Sequence, residues 1–96
     1  MTIKTMPFDA SKYLDSEAAI SEYMNAAIEE GDTDLFMAAL ANVIKARGIA
    51  KVASDAGIGR ESLYKTLAPG SSPRFDTVMK LVHALGVTLT TEPAHH

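Results

Sequence analysis

Apolar residues recur at every third and fourth position through most of this chain, the spacing that gathers them on one face of a helix. Ala19, Ile20, Tyr23, Met24, Ala27 and Ile28 form one such stripe. It predicts a helix that starts near Asp15 or Ser16 as cap and ends at Gly31. Asp32 is placed to cap a second helix carrying Leu35, Phe36, Ala39, Leu40, Val43 and Ile44, with Gly48 as its stop. So short a turn between them predicts that the two pack against each other in opposite directions. Two short helices are expected next, about Ala50 to Ala56 and Arg60 to Ala68, divided by Gly57. The stretch PGSSP, Pro69 to Pro73, interrupts the chain. A last helix then turns Phe75, Val78, Leu81, Val82 and Leu85 inward before Gly86. Val87 to Thr91 alternates apolar and polar residues in a β-branched run, which predicts one short strand. Its partner would be Thr2 to Met6, the same strand of a second copy, or another protein adding to its edge. Residues 92–96 read as a loose tail, and there is no internal repeat.

Composition narrows the class. Ninety-six residues support one hydrophobic core and a single domain over 1–96. A hydrophobic share of 47% against 22% charged residues is that of a folded globular protein rather than a disordered tail. With no cysteine, a disulfide framework and a thiolate metal site are both excluded. The longest unbroken apolar run, which contains Phe36 to Ala41, falls far short of the roughly 18 residues of a membrane span. The opening MTIKTMPFDASKY lacks the apolar core of a secretory signal, so a cytoplasmic location is expected.

The total charge of −3 conceals a partition. Residues 1–44 set Lys4 and Lys12 against eight carboxylates, a net of −6, while residues 45–74 set six cations against Asp55 and Glu61, a net of +4. The remainder contributes −1. A locally basic segment in an acidic protein can still meet phosphate if the fold gathers its charges on one face.

The segment VASDAGIGRESLYKTL, Val52 to Leu67, concentrates the chemistry. Two helices crossing steeply need a small residue where they approach, which Ala53 supplies, and a residue tolerant of left-handed backbone at the turn, which Gly57 supplies. Val52, Ala56, Ile58 and Leu63 fall at core-facing positions. Gly59, Arg60, Glu61, Ser62, Tyr64 and Lys65 are left to point outward, with Lys51 on the preceding helix. These side chains are the donors, acceptors and stacking groups that read base edges and phosphates in a major groove. Gly59 and Ser62 leave amides open to a phosphate at the positive end of the helix.

The pattern Val52, Ala53, Gly57 and Ile58 resembles the helix-turn-helix of the Cro and phage-repressor (XRE) family, placed here between Ile49 and Leu67. Thr66 departs from it, standing where that pattern commonly has an aliphatic residue, a packing role open to Leu67. The resemblance implies an all-α, five-helix, lambda-repressor-like helix-turn-helix domain, to which the expected C-terminal strand would be an addition. From Phe8 to Leu89, through LFMAALANVIKARG, GRESLYKTL and PRFDTVMKLVHALGV, the chain is also similar to the probable addiction-module antidote proteins, the antitoxins of RelE/ParE-like toxins. Where that family usually has a Gly-Asn-Pro turn, this chain reads Gly70, Ser71, Ser72 and Pro73. The similarity implies an antitoxin that binds its cognate toxin and its own operator DNA, repressing the pair. A homodimer is expected, because one recognition helix covers only a few base pairs whereas two set about 34 Å apart read a palindrome. The net −6 of residues 1–44 would attract a basic toxin.

Blander readings stand beside these. Arg60 and Lys65 are solvated charges unless the helix-turn-helix frame holds. Tyr64 either meets backbone phosphate or lies against Lys51. Lys45 and Arg47 suit the negative end of their helix with or without DNA, and are expected to meet phosphate only if that helix end faces the duplex. Tyr13, Tyr23, Phe36 and Phe75 sit at apolar positions and are expected in the core. His83 has no acid and nucleophile in a recognisable frame, so no enzyme and no cofactor are expected. Glu29, Glu30, Asp32 and Asp34 lack calcium-loop spacing, and capping accounts for Asp32. The alternative functions are an interaction module on the same scaffold without DNA affinity, and a stand-alone phage-type repressor.

Overall fold

A computed structural model describes residues 14–94, which form five helices and, among the described residues, no strand. Helix α1 covers Glu17–Glu29 and α2 covers Thr33–Arg47. Ser16, rather than Asp15, caps α1, its Oγ accepting the Ala19 amide at 3.1 Å. Asp32 caps α2 by accepting the amides of Asp34 at 2.9 Å and Leu35 at 3.3 Å. Side chains thus satisfy N–H groups that a helix start leaves without a partner.

Gly48 joins α2 to α3 (Ile49–Ala56) with no residue to spare. Its N–H donates to Ile44 and its carbonyl accepts from Val52, so it ends one helix and begins the next. Its φ of +108° is a conformation that L side chains rarely adopt, which is why the joint is glycine. Helix α4 covers Arg60–Leu67 and α5 covers Phe75–Ala84. Short helices of this length are marginal alone and hold through packing.

The α1–α2 pair packs side by side, while α3 sits centrally against α2, α4 and α5. Their shared core includes Leu14, Ile20, Met24, Leu40, Val43, Ile44, Val52, Ala53, Leu63, Leu81, Val82 and Leu85. Burying a leucine or isoleucine completely stabilises by about 1.5–3 kcal/mol. No polar or charged side chain is buried among the described residues, so this core meets no desolvation cost from unpaired groups. No described helix is long and apolar enough to cross a membrane.

Three expectations need correction. Val87 to Thr91 forms no strand. Val87 and Leu89 pack instead against the core as irregular chain, and an extended segment without a partner gains no ladder of hydrogen bonds. One of the partners considered for it, Thr2 to Met6, lies outside the described residues, as does Tyr13. Phe75, expected inward, is 72% exposed, because the first turn of α5 begins beyond the elements that cover its later turns. Ile28 and Leu35, at the ends of their stripes, are 43% and 42% exposed beside the α1–α2 turn.

Candidate nucleic-acid interface

The turn between α3 and α4 positions the outward residues. Gly57 takes the left-handed conformation at φ +71° and donates to the Ser54 carbonyl at 3.2 Å. Ile58 donates to Ala53 at 2.9 Å, which satisfies a second carbonyl at the end of α3. These two bonds together are a Schellman closure. Ile58 then leans on the core, and Leu63, fully buried, pins the middle of α4 beneath it.

With Leu63 facing in, Arg60, Glu61, Ser62, Tyr64 and Lys65 all face solvent, as does Gly59 ahead of them. Tyr64 is 53% exposed. Gly59 begins α4 without a side-chain cap on the helix amides. Nothing lies within 4 Å of where its Cβ would stand, so an approaching anion meets no steric barrier there. Among the described residues, neither Arg60 nor Lys65 is held in an ion pair. Lys51, also exposed on α3, is held: its ammonium donates to Asp55 at 3.1 Å one turn along. Such a surface pair contributes under about 1 kcal/mol and yields readily to a phosphate.

The structure separates the other basic residues of the 45–74 segment. The Arg47 guanidinium turns to Glu17 at the start of α1, 3.9 Å away, so it closes a helix junction. Lys45 borders a cleft of about 400 Å³ between α2 and the Leu67–Ser71 turn. Arg74 donates to Asp76 at 3.2 Å, and this hydrogen bond chiefly holds the Asp76 carboxyl below the usual aspartate range, helped by the charges of Arg74 and Lys80 and the Thr77 amide. The exposed α4 face therefore carries Arg60 and Lys65 against Glu61, a net of +1.

At its far end α4 is tied to the following turn. Thr66 donates to the Ser62 carbonyl at 2.9 Å, Ser71 donates its hydroxyl to the Thr66 carbonyl, and its amide donates to Ala68 at 3.1 Å. Leu67 packs against the core beside Thr66. Leu67 thus supplies the apolar contact that Thr66 does not, and Ser71 anchors the turn through its hydroxyl.

A family model described as "Probable addiction module antidote protein" matches residues 4–93. The chain belongs to this family. Membership in the antidote family gives it an addiction-module role and, in general, a toxin partner. A Haemophilus influenzae relative, itself an uncharacterized protein, is 40% identical over 87 residues that cover 91% of this chain and 90% of the relative. No solved structure matches. Antidote-family membership does not by itself select residues, so the site rests on the geometry of α3 and α4.

Two features escaped the reading of the sequence. An apolar groove of about 320 Å³ runs between α1 and α2, with Leu35 on its wall and Tyr23 bonded to Asn42 across it at 3.0 Å. The exposed Phe75 borders a second depression with Phe36, Met37 and Leu89. Periodicity grouped Tyr23, Leu35, Phe36 and Phe75 with their helical stripes, but it carries no signal of which turns remain uncovered. His83 is exposed, near Asp55 and Lys80 on a shallow surface.

Proposed function

We propose that this protein is a DNA-binding antitoxin that neutralises a RelE/ParE-like toxin and represses its own operon, acting in the cytoplasm as a homodimer on a palindromic operator. In this reading α3 and α4 are an XRE-type helix-turn-helix in a lambda-repressor-like domain. Helix α4 enters the major groove, with Arg60 and Glu61 toward base edges and Lys51, Gly59, Ser62, Tyr64 and Lys65 toward phosphates and sugar. The protein works by binding, without catalysis or cofactor.

The observation that carries the reading is the orientation of α4: one buried leucine underneath, and a continuous exposed set of donors, acceptors and an aromatic ring on top. The test is retention of DNA spanning the region upstream of the gene, measured across a salt series. The log–log slope should flatten by about 0.9 for each phosphate-contacting cation removed, in Lys51→Ala and Lys65→Ala. A base-reading Arg60→Ala should lose about 1–3 kcal/mol on the specific site. Unchanged retention in all three variants would sink the DNA assignment.

The modest net +1 of the α4 face and the total of −3 favour a second reading, an interaction module on the same scaffold without DNA affinity. That reading predicts no upstream retention at any salt concentration. A stand-alone phage-type repressor, by contrast, would bind DNA but no product of a neighbouring gene.

A further inference from the structure

We infer that the groove between α1 and α2 is the toxin-docking surface, and that it takes an apolar side chain of the toxin flanked by lysines or arginines. This inference rests on the antitoxin reading and adds the surface and the chemistry of what fills it.

The groove is lined by Tyr23, Ala27, Glu30, Leu35, Ala38 and Asn42 among others, and its volume of about 320 Å³ accommodates one aliphatic or aromatic anchor. Its floor is alanine, so two helix backbones lie close to the surface and leave a trough. Leu35 keeps 42% of its surface exposed on the wall, an arrangement that is stabilised when a partner removes it from water. The Tyr23–Asn42 hydrogen bond holds the two helices in register across the trough, so the surface is preformed.

Charge identifies the occupant. From Asp15 to Ile44 the chain has seven carboxylates and no lysine, arginine or histidine. Glu30 stands on the groove itself, and Glu29 and Asp32 are exposed around the neighbouring turn. An apolar trough with a rim of one sign selects a partner carrying the opposite sign around an apolar anchor, and speeds its approach. The groove shares no residue with the Lys51 and Gly59 to Lys65 set, which lies on α3 and α4 and the turn between them. Toxin and DNA therefore bind different elements of one chain.

The test uses the full chain and the product of the reading frame adjacent to its gene, with binding measured by calorimetry. Leu35→Ser should weaken binding about 10-fold or more, the effect of losing a buried anchor worth upwards of about 1.4 kcal/mol. Glu30→Lys, at an exposed helix end where folding is little affected, should slow association, and the deficit should shrink as salt rises. Glu30→Lys should keep the wild-type melting profile, Leu35→Ser should stay cooperatively folded with a modestly lower Tm because its side chain is partly covered, and both should keep DNA retention. If the wild-type chain binds the neighbour and both variants bind it equally well, the groove assignment fails while the antitoxin reading survives. If the wild-type chain does not bind the neighbour, the antitoxin reading fails and the inference with it. If the variants convert a dimer to a monomer in sedimentation, a second copy occupies the groove and the inference is overturned.

Discussion

The amide of Ile58 donates to the carbonyl of Ala53 at 2.9 Å, and this bond, with that of Gly57 to Ser54, sets the direction in which α4 leaves α3. It forms only because Gly57, between them, adopts φ +71°. Ala53 is buried and Ile58 rests on the same core, so the bond is held from both sides.

Gly57→Ala should therefore cost about 1–2 kcal/mol, the penalty of a left-handed L residue. For a domain of this size that is a fall of roughly 4–8 °C in Tm per kcal/mol. Gly59→Ser, at φ −66° with open space around it, should keep or raise Tm, since serine is a preferred helix cap. Thermal melts of the two variants side by side check the assignment. Equal losses would show that the turn does not depend on the left-handed residue.

Leu63 and Phe75 should behave oppositely despite their similar hydrophobicity. Leu63→Ala removes a fully buried side chain and should destabilise by about 2–5 kcal/mol in urea unfolding. Phe75→Ala, at 72% exposure, should stay within about 0.5 kcal/mol of the parent. A large loss at Phe75 would mean that its ring is covered in solution.

The cap at Asp32 offers a cleaner local measurement. Asp32→Ala should cost about 1 kcal/mol, because the amides of Asp34 and Leu35 lose their acceptor, while Asp32→Asn should retain most of the stability. Differential scanning calorimetry distinguishes the two. A full loss in the asparagine variant would point to charge rather than hydrogen bonding.

Asp76 has a lowered pKa, with Arg74 as its chief cause, so the pair supports folding above the usual aspartate range and loses that support as pH falls through the lowered value. In Arg74→Ala the Asp76 carboxyl should titrate at higher pH, toward its ordinary value. A carboxyl NMR titration of both proteins reads this directly. An unmoved midpoint would remove Arg74 as the cause. Both groups are exposed, so the change in Tm should be small.

The sequence carried most of the local architecture. The stops at Gly48 and Gly57, the cap at Asp32 and the inward face of α4 through Leu63 were legible because each depends on one residue's conformational or hydrogen-bonding chemistry. Helix ends shifted by a residue, with α3 beginning at Ile49 and α4 ending at Leu67, as frayed termini do. The outward set from Gly59 to Lys65 followed from the same periodicity, once Leu63 was assigned to the core.

What the tertiary structure decided was coverage. Spacing shows that Leu35 shares a face with Ala39, and Phe75 with Val82, but burial depends on whether another element reaches that turn of the helix. The expected strand at Val87 to Thr91 illustrates the same point, because extended chain becomes a strand only beside a partner, which no local run of residues can provide. The groove between α1 and α2 and the diversion of Arg47 to Glu17 belong to that second class. They arise from distances between residues far apart in the chain, to which a pattern read along the backbone is blind.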